Sequence, residues 1–176
     1  VHWSGKRYRS VVMVKPLARV TPLGSNGDGA ALGANDAAHR IARVRTLWAH
    51  VQARDWAAMR ALLADGCTMH WPCTRERFLD ADAIVRVQAI YPEGWSITVG
   101  EVFGTSDVSN HTRDVSNHAR VVSSVTVTHG PQTFFARSIF AFDVHGCIAH
   151  IDEHWSTAEE PPAWRTAQAI GTYERD

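Results

Sequence analysis

The sequence predicts an α+β fold in which helices precede a mainly antiparallel sheet. Apolar residues recur at helical spacing in the first half of the folded region. Four longer segments rich in Val, Ile, Thr and Phe fill the second half and are separated by Gly, Pro, Asn and His-Gly turns. Helices followed by consecutive strands are typical of a domain in which the helices close one side of a bent sheet.

The first helix is expected to begin after Asp36, whose side chain suits an N-cap. Its apolar positions follow helical spacing and are Ile41, Val44, Leu47, Trp48 and Val51. A second helix is expected over residues 56–64, capped by Asp55 and ended by Gly66.

A short strand at residues 67–71 ends before Pro72, and a third helix opens at Asp80 or Asp82 and runs to Ile90. The remaining strands are expected to pair as an antiparallel meander and cover residues 95–104, 119–130, 132–144 and 147–156. In the segment 132–144, Phe134, Phe140 and Phe142 share one face with Ala136 and Ser138.

Length and composition indicate one ordinary folded domain. The chain has 176 residues, of which 45% are hydrophobic and 20% charged. Eighteen basic and eighteen acidic residues cancel, so we expect neither nucleic acid nor an anionic membrane as a partner. Three cysteines without CxxC spacing suggest reduced thiols, and the lack of a long apolar run favours a cytoplasmic protein.

The expected organisation is a basic, flexible extension and linker over 1–35, a domain over 36–168 and a tail over 169–176. Residues 1–20 are predicted to form a flexible extension, with an organelle-targeting peptide or a basic nucleic-acid-binding arm as alternatives. The motif DVSNH occurs twice, at 107–111 and 114–118. This duplication is expected at a hairpin tip, where added residues stay hydrated, and a ligand-gripping loop is the alternative.

Several fragments, taken in order, resemble a known superfamily. They are ARDWAAMRALLADGCTMHWPCTRERFLDADAIVRV, YPEGWSITVGEV, FFARSIFAFDVHGCIAHIDEHWS and PPAWR. Together they resemble the nuclear transport factor 2-like superfamily, and more narrowly its SnoaL-like, polyketide cyclase-type bacterial branch, over about residues 40 to 165. PPAWR is expected to return Trp164 onto the domain body.

The resemblance implies a cone: three N-terminal helices packed on a strongly curved, mainly antiparallel sheet that wraps round a hydrophobic pocket. Relatives of this kind include ketosteroid isomerases, limonene epoxide hydrolases and polyketide cyclases. They usually pair as homodimers through the sheet, and the resemblance implies no organic cofactor. Because one fold hosts many activities, the fold does not fix the function.

The last strand carries the candidate acid–base groups. Alternation places Ile148, His150, Asp152 and His154 in one row, and Ala149, Ile151, Glu153 and Trp155 in the other. A carboxylate in a poorly hydrated pocket is a suitable general base, because desolvation raises its proton affinity. Asp152, flanked by His150 and His154, is the first candidate. Glu153 is the rival, because its aromatic neighbour Trp155 would also desolvate a carboxylate. The structural alternative for Asp152 is a surface or dimer-interface carboxylate paired with Arg137 or a neighbouring histidine.

His70 and Tyr91 are the candidates for polarising a substrate oxygen, so the catalytic candidates are Asp152, His154, Tyr91 and His70. The ligand-binding candidates are mainly aromatic residues near strand ends: Trp71, Trp95, Phe135, Phe140, His150, Glu153 and Trp155. Plain core packing is the alternative for most of them. No metal site is expected, since His150 and His154 would lie about 13 Å apart along a strand.

Two functions remain open on the sequence alone. The first is a SnoaL-like protein that binds a small apolar, ring-containing molecule and acts as an isomerase, cyclase or hydratase-type acid–base enzyme. The second is a non-catalytic ligand-binding or dimerisation module, and recognition of a protein partner through the sheet is a further alternative.

Overall fold

The computed structural model describes residues 37–105, 120–165 and 171. Its helices are α1 (Ala37–Ala53), α2 (Trp56–Ala61) and α3 (Ala81–Ala89). Its strands are β1 (Leu63–Trp71), β2 (Glu76–Phe78), β3 (Trp95–Gly104), β4 (Arg120–His129), β5 (Gln132–Phe142) and β6 (Ile148–Thr157). None of the helices in these ranges is both long and apolar enough to cross a membrane.

The strands form one curved, open sheet in the order β2-β1-β6-β5-β4-β3. The meander predicted for β3 to β6 is confirmed, because each of these strands pairs antiparallel with the next. A two-residue turn joins β4 to β5. Turns of this length require a positive φ, and Gly130 supplies it with a φ of 57°. The mainly antiparallel α+β arrangement is therefore correct.

The first strand differs from its prediction. It begins at Leu63, pairs parallel with β6 and pairs antiparallel with the short β2, which the sequence pattern did not indicate. The second helix correspondingly ends at Ala61, and Gly66 lies inside β1 instead of terminating the helix. Burial explains this outcome: Leu63, Cys67 and Met69 enter the core from the strand.

Two of the predicted helix caps are present. The Asp55 carboxylate accepts a hydrogen bond from the Ala58 amide at 3.0 Å, and Asp80 accepts one from the Ala83 amide at 2.7 Å. Of the two alternatives for α3, Asp80 is thus the N-cap, and Asp82 lies in the first turn.

One hydrophobic core lies between the helices and the sheet. From α1 it takes Val44, Leu47, Trp48 and Val51, and Ile84 joins from α3. We call the sheet face that meets this core the inner face and the opposite one the outer face. On β5 the predicted parity is confirmed: Ala136, Ser138, Phe140 and Phe142 are all buried on the inner face.

Two local predictions are wrong. Ile148 does not share a face with His150, because a register shift between β5 and β6 at this point turns Ile148 into the core. Trp164 does not return onto the body: its side chain is 72% exposed and contacts the Arg165 guanidinium.

Several predictions concern residues outside the described ranges. They are the 1–35 extension and linker, the Asp36 cap, the repeated DVSNH motif at 107–111 and 114–118, and the 169–176 tail.

Candidate functional site

A cavity of about 440 Å³ opens between the helices and one end of the inner face. Its walls are almost entirely apolar. Aromatic side chains dominate the lining, which consists of Trp48, Val51, Trp71, Cys73, Thr74, Glu76, Val87, Gln88, Ile90, Tyr91, Pro92, Trp95, Ile97, Val127, Phe134 and Trp155. Concave, apolar cavities of this size are typical of small-molecule sites.

A row of three buried polar side chains crosses the inner face behind this wall. Ser123 pairs in register with Ser138, and Ser138 with Glu153, on three adjacent strands. All three are at most 2% exposed. We call this row the polar seam.

Three of the four cavity tryptophans donate their only polar group to the seam. The Trp48 indole N–H donates to the Ser123 hydroxyl at 3.0 Å. The Trp71 and Trp155 indoles both donate to Oε1 of Glu153, at 3.0 and 2.8 Å. These three rings therefore present only carbon atoms to the cavity.

Glu153 is held by a third bond, in which the Ser138 hydroxyl donates to Oε2 at 2.7 Å. Burial raises the pKa of Glu153 above its usual range, and the bonds from Ser138, Trp155 and Trp71 oppose that shift. Glu153 does not itself line the cavity, because the rings of Trp71 and Trp155 form the wall there.

The fourth tryptophan, Trp95, is anchored differently. The Arg54 guanidinium lies 3.4 Å from the centre of a Trp95 ring and donates to the Trp95 carbonyl at 2.9 Å. Its buried indole nitrogen has no hydrogen-bond partner within the described ranges.

Tyr91 lies at the rim of the cavity beside His129. The ring nitrogen Nε2 of His129 donates to the Glu93 carbonyl at 3.0 Å, which leaves Nδ1 of the neutral ring as an acceptor. The Tyr91 hydroxyl lies 3.4 Å from that Nδ1 and donates to it. Tyr91 is thus the one catalytic candidate that lines the cavity.

The other three catalytic candidates lie on the outer face. Asp152 is 40% exposed, with its carboxylate 3.3 Å from Nδ1 of His70 and 3.2 Å from Nε2 of His150. Nδ1 of His150 is in turn hydrogen-bonded to the Thr68 hydroxyl at 2.7 Å. His154 is exposed on the same face. A surface carboxylate that pairs with histidines was the structural alternative for Asp152, and the catalytic role of these residues stays a prediction.

The ligand-binding candidates are divided among three places. Trp71, Trp95 and Trp155 line the cavity. Phe140 does not, because it is fully buried in the core, edge-on to Trp48. Phe135 is 45% exposed on the outer face, where His150 also lies, because alternation along β5 turns it away from Phe134.

Sequence reasoning missed the polar seam and Trp48. The signal was present, since Ser138 had been assigned to the face of Phe140, and a serine in an apolar row needs a partner. Its partner on β6 could not be read without the strand register. Within residues 37–105 and 120–165, no three His, Cys, Asp or Glu side chains converge as a metal ion would require.

Comparison with solved structures identifies the fold. A candidate ketosteroid isomerase from Kribbella flavida DSM 17836 superposes with a TM-score of 0.66, at 22% identity, over 80% of this chain and 92% of that one. An NTF2-like protein of unknown function from Burkholderia xenovorans LB400 gives 0.61, at 16% identity, over 80% and 98%. An epoxide hydrolase of the LEH-like type from Mycobacterium tuberculosis gives 0.50, at 12% identity, over 68% and 84%.

No family model matches the sequence, and neither does any curated protein. At these identities the structural likeness shows the fold alone. The chain has an NTF2-like fold, as the sequence resemblance implied, and its assignment to the SnoaL-like branch stays a prediction.

Proposed function

We propose that this protein binds a small, uncharged, ring-containing apolar molecule in the aromatic cavity. The observation that carries the proposal is the wall itself: three tryptophan rings present carbon to the cavity while their N–H groups are bonded to the polar seam. An aromatic wall of this kind favours flat apolar ligands. The volume of about 440 Å³ is in the range of small-molecule sites.

The distribution of polar groups disfavours an anionic ligand. The polar lining residues are Thr74, Glu76 and Gln88, with Tyr91 at the rim. A negatively charged ligand placed against the tryptophan wall would lose its hydration, and no Lys, Arg or His among the described lining residues would compensate it. Such a transfer costs several kcal/mol, so the wall selects against negative charge.

A matched probe pair tests this proposal. Naphthalene should displace the dye Nile red from the protein, whereas 2-naphthoate, with the same ring system and a negative charge, should bind at least about tenfold more weakly. The variant Val87→Trp fills the cavity from α3 and should abolish displacement. Val144→Trp changes a residue that is 64% exposed and absent from the lining, and serves as its control. Equal affinity for both probes, or undiminished binding by Val87→Trp, would refute the proposal.

Acid–base catalysis of the isomerase, cyclase or hydratase type is the second candidate. The observation in its favour is the Tyr91 hydroxyl at the rim, donating to His129. Once a substrate is found, Tyr91→Phe should lower turnover by about a hundredfold or more, the range of a single general acid–base group. Asp152→Asn tests the role of general base that the sequence predicts for Asp152. Lost turnover with unchanged ligand affinity would support Asp152 as the base, and retained turnover would remove it.

We also propose that the protein forms a homodimer through the outer face. Phe103, Phe135 and Ile139 leave 46%, 45% and 36% of their area exposed there. Exposed apolar groups on one sheet face are typical of an interface.

A further inference from the structure

We propose that Glu153 is a positioning residue that sets the selectivity of the cavity. By accepting the indole N–H groups of Trp71 and Trp155, it keeps these two donors out of the cavity wall. The part of the wall that these two rings form then offers no donor to a ligand carbonyl or ether oxygen and favours hydrocarbon rings. This inference rests on the proposed function, since it concerns the choice among ligands of the same cavity.

Both indoles depend on one oxygen of Glu153. Their N–H groups lie 3.0 and 2.8 Å from Oε1 of Glu153, and the two rings meet edge to face with centroids 6.4 Å apart. Trp71 also packs edge-on against Phe78 at 4.9 Å. Packing restrains one side of this ring pair, and the carboxylate fixes the direction of both N–H groups.

The chemistry of a carboxylate suits this position. One carboxylate oxygen has two lone pairs, so Oε1 can serve both indoles while Oε2 accepts from Ser138. A glutamine would retain the arrangement, because its carbonyl can serve both indoles and its amide can donate to the Ser138 hydroxyl. An apolar residue would leave two buried donors without an acceptor.

These hydrogen bonds determine which ligands the wall favours. A site with unpaired donors prefers a ligand that supplies an acceptor, and a site whose donors are all satisfied gains nothing from one. In the native wall, a ligand carbonyl would lose its water and find no donor from Trp71 or Trp155. Removing the carboxylate would release both N–H groups toward the cavity and change which ligand is favoured.

The experiment compares naphthalene with 2-acetylnaphthalene in Nile red displacement. The native protein sets the reference ratio of the two dissociation constants, and Glu153→Gln should keep that ratio within about twofold. Glu153→Leu should move the ratio toward 2-acetylnaphthalene by about fivefold or more. Glu153→Asp shortens the side chain, so that its carboxylate no longer reaches both indoles. It should shift the ratio in the same direction and decides the question if Glu153→Leu does not fold.

A second readout does not depend on any ligand. The indole N–H resonances of Trp71 and Trp155, followed by nuclear magnetic resonance in the free protein, should move in Glu153→Asp and stay close to native in Glu153→Gln. If the native protein binds neither probe, the proposed function fails and these resonances still test the anchoring. If binding is native but folded Glu153→Leu or Glu153→Asp keeps the native ratio, the selectivity role of Glu153 is refuted.

Discussion

At the residue scale, the two neighbouring acids of β6 have opposite surroundings. Asp152 lies on the outer face beside His70 and His150, and Glu153 is 2% exposed on the inner face. A buried carboxyl favours its neutral form, because the charged form loses its hydration. Burial accordingly raises the pKa of Glu153, although three donors oppose the shift.

The raised pKa predicts a pH dependence of stability that Glu153→Gln should remove. The folded protein holds the Glu153 proton at pH values where the unfolded chain, with a pKa near 4.5, has already lost it. This contribution to the free energy of unfolding is complete below pH 4.5 and is lost as pH rises through the raised folded pKa. Each unit by which the pKa is raised corresponds to about 1.4 kcal/mol.

Urea unfolding of the native protein and Glu153→Gln at a series of pH values measures this effect. The native protein should lose stability relative to Glu153→Gln as pH rises from 4.5. Glu101→Gln is the matched control, because it makes the same change at an exposed glutamate of β3. A constant difference between the native protein and Glu153→Gln across this range would contradict the prediction.

From the sequence, Asp152 is the first candidate and Glu153 the rival, whereas the structure buries Glu153 and leaves Asp152 on the outer face. Alternation separates Asp152 from Glu153, but it does not say which row meets the helices. Ile148 and Ile151 are both buried in the core, although residues three apart on a regular strand lie on opposite faces. The register shift near Ile148 makes this possible, so neither isoleucine could show from the sequence which row is buried. The aromatic neighbour of Glu153, in contrast, was a correct indication of burial.

At the element scale, α3 forms one side of the cavity mouth through Val87 and Gln88. The helix has only nine residues, so its termini contribute a large share of its stability. Its N-cap is Asp80, and the bond to the Ala83 amide at 2.7 Å satisfies one of the free amides of the first turn.

Replacing Asp80 by Ala should therefore lower the free energy of unfolding by about 1 kcal/mol. Asp80→Asn should cost much less, because asparagine is an equally good N-cap. Nile red affinity, measured together with urea unfolding, should fall in Asp80→Ala and remain native in Asp80→Asn. If both variants match the native protein, the cap does not stabilise the cavity mouth.

Local sequence patterns predicted the helices and the antiparallel meander. They failed for β1, whose pairing partner β6 is distant in the sequence. Trp56, Met59, Leu62 and Leu63 follow helical spacing, so the pattern extended α2 past its end at Ala61. The helix ends because the residues that follow it pair in parallel with β6, which lies more than 80 residues further along the sequence. No local pattern contains that information. The three-residue β2 is too short to show any periodicity.

At the scale of the whole molecule, the sheet separates two chemical environments. The inner face carries the core, the polar seam and the aromatic cavity. The outer face carries a row that crosses five strands in register, in the order Phe103, Val122, Ile139, Asp152 and His70. Three residues of this row are apolar and two are polar, a composition suited to a protein interface with a polar rim.

The proposed homodimer predicts that a charge introduced among the three apolar residues of this row will separate the subunits. Ile139→Arg should convert a dimer to a monomer in sedimentation velocity, because a buried, unpaired guanidinium would oppose self-association. Nile red binding should be unchanged, since Ile139 does not line the cavity. Leu79→Arg introduces the same charge at a residue that is 73% exposed and outside this row, and it should remain dimeric. A native protein that sediments as a monomer at all concentrations would refute the dimer, and a dimeric Ile139→Arg would place the interface elsewhere.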